Sequence, residues 1–198
     1  MLMAPKLITI SGISSNSGKT TLLCELLRAL SSEQRWEAIK LTRGHYRSCG
    51  KDLQACCVSD LLRTEAVIRS GRAETYALGK DTGRYWDAGA TNVHWVIATD
   101  QQVENGINAA LARVTAPGVL LEGTSLLNFL QPDFALLVVG GESDKLKPSA
   151  RRAIQAGKIH ALYVTNERAA ALLPTMDSAH LPRFAPETFA QLLQVLPV

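Results

Sequence analysis

Several things are scarce in this sequence, and each shortage closes a route. No apolar run among its 198 residues approaches the ~18–20 residues of a membrane span. The opening Met1-Leu2-Met3-Ala4-Pro5-Lys6 runs straight into a strand pattern without the layout of an export signal. The expectation is a soluble, cytoplasmic protein with no membrane partner. Lys and Arg outnumber Asp and Glu only enough to give a formal charge of +3, and they are scattered. There is no basic tract of the kind that tracks a nucleic-acid backbone, and no nucleic-acid partner is expected. Cysteine is limited to Cys24, Cys49, Cys56 and Cys57. Without an export signal these read as reduced thiols rather than a disulfide framework. No repeat, low-complexity tract or linker interrupts the chain, so residues 1–198 are expected to form a single domain.

What is present is a core-forming composition, 46% apolar, arranged as strand-length apolar runs alternating with segments of helical period. That alternation predicts an α/β fold, a three-layer and mainly parallel sheet with crossover helices. Leu7–Ser11, Trp36–Leu41, Asn92–Ala98, Gly118–Glu122, Phe134–Val139 and Ile159–Thr165 read as strands. Helices are expected over Lys19–Leu30, Asp81–Ala90, Gln101–Val114, Pro148–Ala156 and near Pro186–Val195, with a further helix near Asp60–Ser70. In the first of these, Leu22, Leu23, Leu26, Leu27 and Leu30 fall on one face.

The strongest motif is Gly12-Ile-Ser-Ser-Asn-Ser-Gly18-Lys19-Thr20, between the first strand and the first helix. Phosphate binding at such a turn works because free backbone N–H groups and the positive end of the helix dipole converge on the anion. Gly18 should let phosphate oxygens approach, Lys19 should reach the outer phosphates, and the Thr20 hydroxyl should ligate Mg²⁺. Gly12, Ser15, Asn16, Ser17 and Thr21 complete the expected cradle for ATP or GTP. In the usual G-x-x-x-x-G-K-[ST] spacing the first glycine would fall at Ile13, whereas here it stands one position earlier. A surface turn carrying Gly-Lys-Thr by chance is the bland alternative. The buried-type strand before the loop and the leucine-faced helix after it argue against that.

This variant loop resembles that of dethiobiotin synthetase, cobyrinic acid diamide synthase and molybdopterin-guanine dinucleotide biosynthesis protein B, one branch of the P-loop nucleoside triphosphatases. Gly79-Lys80-Asp81-Thr82-Gly83-Arg84 through Ala88-Gly89-Ala90 is similar to a segment of the molybdopterin protein B family, and so is the strand-end Leu120-Leu121-Glu122-Gly123. The three matches occur in the family's order over the first two thirds of the chain. The chain departs from that family at Lys40-Leu41-Thr42-Arg43-Gly44-His45, where a histidine-rich run is usual, and at the Thr-Ser-Leu-Leu after Gly123. The resemblance implies a Mg²⁺-dependent ATP- or GTP-binding P-loop NTPase with slow intrinsic hydrolysis, an accessory factor in molybdopterin-type cofactor assembly with a biosynthetic enzyme as partner, and a homodimer. A ligase or phosphoryl-transfer enzyme of the dethiobiotin synthetase type is the alternative, with acceptor-binding groups drawn from residues 42–80.

Other candidate residues carry two readings each. Glu122 at a strand end either holds Mg²⁺ or faces solvent. Asp81 either caps a helix beginning at Thr82 or serves the metal and the nucleophile. With Lys19, Asp81 and Glu122 form the candidate catalytic set. Arg84 either reaches a phosphate or, by default, lies on the wet helix face. Asn166 either touches the nucleotide base or caps the next helix. Cys49, Cys56 and Cys57, with His45 nearby, either hold Zn²⁺ as part of a metal-carrying nucleotide switch or are plain thiols, the default given adjacent cysteines and no C-x-x-C pair. His94, beside Trp95, is expected in the core or at an edge.

Overall fold

A computed structural model of the chain describes residues 4–44, 59–141, 146–171, 173–176 and 178–198. His45, Cys49, Cys56 and Cys57 lie outside the described residues, and the zinc reading lies there with them.

The strands are β1 (Lys6–Gly12), β2 (Trp36–Arg43), β3 (Val67–Ser70), β4 (Asn92–Ala98), β5 (Gly118–Glu122), β6 (Phe134–Val139), β7 (Ala161–Val164) and β8 (Arg183–Phe184). They form one sheet in the order β3-β4-β2-β5-β1-β6-β7-β8. All neighbours are parallel except β3, which runs antiparallel to β4. The interior strands read as near-continuous apolar runs because both faces are covered, as parallel sheets require. The helices are α1 (Lys19–Leu30), α2 (Arg72–Thr75), α3 (Asp81–Asp87), α4 (Val103–Leu111), α5 (Pro148–Gln155), α6 (Glu167–Ala170) and α7 (Phe189–Val195). Among the described residues, no helix is long and apolar enough to cross a membrane.

The leucine face of α1 is buried as the sequence predicts: Leu22, Leu23, Leu26, Leu27 and Leu30 are at most 6% exposed and pack with β1, β2 and Tyr85. Burial of each such side chain contributes roughly 1.5–3 kcal/mol. This anchors the start of α1 against the end of β1, and so fixes the loop 13–18 between them. On the other face, Val96, Val103, Ile107, Val119 and Leu121 form a second cluster under α4.

The helix expected near Asp60–Ser70 is not formed. That stretch is a 3-10 turn at Ser59–Leu61 followed by β3. Apolar spacing there imitates a helix, but the pair Val67 and Ile68 is β-branched and completes the sheet edge beside β4. Helix α3 begins at Asp81 itself, with Lys80 at the cap position and no side-chain cap bond. The capping role considered for Asp81 therefore does not hold, and its carboxylate is used elsewhere.

Candidate phosphate-binding site

Strand order puts β1 between β5 and β6, although β2 is the next strand in sequence. The crevice at the carboxyl ends of β1, β2 and β5 is thus the switch point at which open α/β sheets hold ligands. A cleft of about 810 Å³ opens there, lined by the loop and the start of α1 and by residues from β2, α3, β5 and the segment before α5.

The loop's geometry explains its glycine placement. A Cβ on Gly12 would stand 2.2 Å from Ser17 Oγ and 2.9 Å from Lys19 Cδ, so the loop folds back over a bare backbone. Ile13, where the usual spacing puts a glycine, is fully buried in the cluster under α5. The early glycine is therefore required by contact, and the position after it is a core position. Asn16 has φ 57° and Gly18 has φ 95°, two left-handed residues that turn the chain into the helix. The first helical bond runs from Leu22 N–H to Gly18 C=O at 3.0 Å, and the N–H groups of the first turn before it have no intrahelical acceptor.

Lys19 Nζ lies back across the loop, donating to Ser14 C=O at 3.0 Å and Ser17 Oγ at 3.3 Å. Burial pushes its pKa down, opposed by the charge of Glu122 and reinforced by Lys40 and Lys147. Lys147 holds the loop from outside through its N–H to Ile13 C=O at 2.9 Å and its Nζ to Ser15 Oγ at 3.1 Å. Its pKa is also lowered, by burial and then by Arg43. Thr124, in the 3-10 turn Thr124–Asn128, pins Gly12 from the other side. Its hydroxyl accepts the Gly12 N–H and approaches the Gly12 carbonyl, each at 3.1 Å.

Below the loop, Thr20 Oγ1 donates to Glu122 Oε2 at 2.8 Å. Glu122 is 2% exposed, which excludes the solvent-facing reading. The Tyr85 hydroxyl also donates to Glu122 Oε2, and burial together with the Glu122 charge drives the phenol's pKa well up. Lys40 Nζ lies between two carboxylates, bonded to Glu122 Oε1 and 2.6 Å from Asp81 Oδ2. Burial alone would raise the Asp81 carboxyl. Lys40, by charge and hydrogen bond, outweighs burial with help from the Thr20 hydroxyl and Arg84, and holds it below its usual value. Arg84 is half-buried and lines the cleft, donating to Thr21 Oγ1 at 3.3 Å.

The sequence-derived set Lys19, Thr20, Asp81 and Glu122 is therefore brought together in one place. Lys40, Tyr85, Lys147 and Thr124 were not anticipated. Lys40 had a readable signal: a lone lysine inside the apolar run of β2 must find a carboxylate if its head is to be buried. The others depend on contacts across ~40–130 residues of sequence, which local pattern does not carry. Asn166 caps α6, its Oδ1 accepting the Ala169 N–H at 2.7 Å, and is not among the described residues lining the cleft. His94 is a core residue in a buried polar network with Glu37 and Ser70.

Thr20, Glu122 and Asp81 offer only oxygen donors, the set that suits Mg²⁺, and the two carboxylates already hold a cation, the Lys40 ammonium, between them. Among the described residues, no three His, Cys, Asp or Glu side chains gather to hold a metal by themselves. Five basic side chains against two acidic ones line the cleft, a field suited to a polyanion.

The sequence matches no family model, and no curated protein aligns with it significantly. Among solved structures, the chain is similar to the "apo" form of LpxK from Aquifex aeolicus in complex with ATP, at 17% identity and a TM-score of 0.50, over 92% of this chain and 54% of that one. It thus spans about half the length of that protein. A putative plasmid partition protein from Borrelia burgdorferi B31 bound to AMPPNP aligns over 92% of this chain and 86% of its own, at 10% identity and a TM-score of 0.43. The fold is that of the P-loop NTPases, a mainly parallel sheet with flanking helices.

Proposed function

We propose that this chain, acting as a single P-loop domain, binds a purine nucleoside triphosphate with Mg²⁺ and hydrolyses it slowly, as an accessory NTPase in molybdopterin-type cofactor assembly. The carrying observation is Lys19, its ammonium laid over a loop built on Gly12 and Gly18 at the entrance of a helix whose first N–H groups have no intrahelical acceptor. An arriving triphosphate replaces the weak loop partners of that ammonium, a carbonyl and a hydroxyl, with charged oxygens. Lys147 and Thr124 keep the loop in shape before the ligand arrives, so little ordering cost falls on binding.

Phosphoryl transfer to water asks mainly for positioning and charge neutralisation. In this reading Lys19 and the loop amides hold the outer phosphates, Arg84 lies in reach of the phosphate side of the cleft, and Tyr85 fixes the Glu122 carboxylate in one orientation. Thr20 and Glu122, with Asp81 beside them, would hold Mg²⁺, which would supply charge neutralisation. The pathway assignment is supported by the resemblance of the loop, the Asp81–Ala90 segment and the Glu122–Gly123 strand end to the molybdopterin protein B family, and so is the expectation of a partner enzyme.

The test is phosphate release from ATP and from GTP, with Mg²⁺ and with excess chelator. Slow Mg²⁺-dependent release from one of the two supports the reading and identifies the base. Release that is indifferent to the chelator, or binding without any release, overturns the hydrolytic part.

A further inference from the structure

Lys40 is the most unusual charge in the cleft. It stands in β2 next to Glu122 of β5 in the sheet register, and its side chain is only 16% exposed. Its ammonium contacts both Asp81 and Glu122, while Glu122 also accepts the Thr20 hydroxyl. The two carboxylates suited to Mg²⁺ are therefore the groups with which Lys40 is already paired. An ammonium and a divalent ion compete here for the same negative charge.

We propose that Lys40 acts as a built-in competitor that closes the Mg²⁺ site of the nucleotide-free protein, so that the metal enters only together with a triphosphate. The inference rests on the nucleotide-binding reading above, and charge decides it. Lys19, Lys40, Asp81 and Glu122 are two cations and two anions, formally neutral. A bare divalent ion added to that set brings two uncompensated positive charges into a partly dry site, which low dielectric penalises. With it comes a shortage of ligands, since two carboxylates and one hydroxyl leave most of the ion's coordination to water. A triphosphate reverses both terms. Its charge of about −4 accommodates the metal and the ammonium at once, and its oxygens supply further metal ligands and a new partner for Lys40. Lys40 is in this sense a gating residue, acting on metal occupancy rather than on the reacting atoms.

The experiment uses Mn²⁺ as the probe, read by the paramagnetic resonance signal of the free ion, in nucleotide-free protein. Wild type and Lys40→Arg are expected to bind Mn²⁺ weakly. Lys40→Gln should bind it at least ~10-fold more tightly, the equivalent of about 1.4 kcal/mol, and the double variant Lys40→Gln/Glu122→Gln should lose that gain. Removing the ammonium leaves two close carboxylates uncompensated, so Lys40→Gln should melt below wild type in chelator and recover when millimolar Mn²⁺ is added. Equal Mn²⁺ affinity in wild type and Lys40→Gln overturns the proposal. So does a Lys40→Gln protein that Mn²⁺ fails to rescue, because the ammonium is then not exchangeable for a metal. Calorimetry of AMPPNP with Mg²⁺ on wild type tests the nucleotide reading separately. If no nucleotide binds while Lys40→Gln still gains Mn²⁺ affinity, the competition stands and the nucleotide reading falls.

Discussion

Gly12 carries the loop by having no side chain. The nearest atoms to a Cβ built there belong to Ser17, itself buried, and to Lys19, the residue proposed to hold the outer phosphates. An added methyl group must displace the Ser17 hydroxyl and the stem of Lys19, so it disturbs the lysine that lies across the loop. Gly12→Ala is expected to weaken triphosphate binding by roughly 10-fold, about 1.4 kcal/mol, because the displaced ammonium makes a poorer charge-assisted bond to the phosphate oxygens. The melting temperature should change little, since the leucine face of α1 and the β1 pairings are untouched. Titration of the variant with nucleotide, beside a thermal melt, checks both halves. Unchanged affinity would mean that Gly12 is a spectator.

Among the elements, α1 and the strands β4, β5 and β6 were legible because each has a long or unbroken apolar pattern of one period. Asn92–Ala98, Gly118–Glu122 and Phe134–Val139 coincide with the strands read from sequence. The failures fall where pattern is short. The two-residue strand β8 and the four-residue helices α2 and α6 offer less than two turns or one alternation to read, and β3 was mistaken for helix on spacing alone. The candidate site divides the same way: the loop, Asp81 and Glu122 were legible as motif, whereas the Lys40 bridge exists only once β2, β5 and α3 are side by side.

The opposite edge of the sheet holds a polar assembly that no motif announces. Glu37, at the start of β2, accepts the Thr115 N–H, the Thr115 hydroxyl and the Ala116 N–H, each at 2.9 Å. His94 Nε2 meets its other oxygen at 2.8 Å, and Ser70 Oγ meets His94 Nδ1 at 2.8 Å. These contacts tie β2, β3, β4 and the turn before β5 together. Burial would raise the Glu37 carboxyl, but the hydrogen bonds from His94, Thr115 and Ala116 prevail and bring its pKa from 4.5 to about 2. A carboxylate depressed on folding contributes stability that is fully present above its unfolded pKa and is lost as pH falls through the folded one. The shift corresponds to roughly 3 kcal/mol at neutral pH. It should disappear progressively between about pH 4.5 and pH 2. Denaturant midpoints of wild type measured across that interval should fall more steeply than those of Glu37→Gln. Parallel curves would remove this network from the account of acid stability.

At the scale of the whole molecule, the sheet order matters more than any single contact. By returning β5 to lie between β2 and β1, the chain sets Lys40, Glu122 and the phosphate loop on neighbouring strand ends. Helix α3 packs beside α1 and brings Asp81, Arg84 and Tyr85 to the same place. The result is a cleft with a net positive lining and an acidic pair bridged by one ammonium, the layout on which the proposed binding of a triphosphate with its metal rests. The central claim, that this cleft takes a nucleoside triphosphate through Lys19, is tested most directly by calorimetric titration of ATP and GTP with Mg²⁺ into wild type and into Lys19→Ala. The account predicts saturable binding of at least one nucleotide by wild type and a loss of at least ~10-fold in affinity in Lys19→Ala. Equal binding by both proteins, or none by wild type, would contradict it.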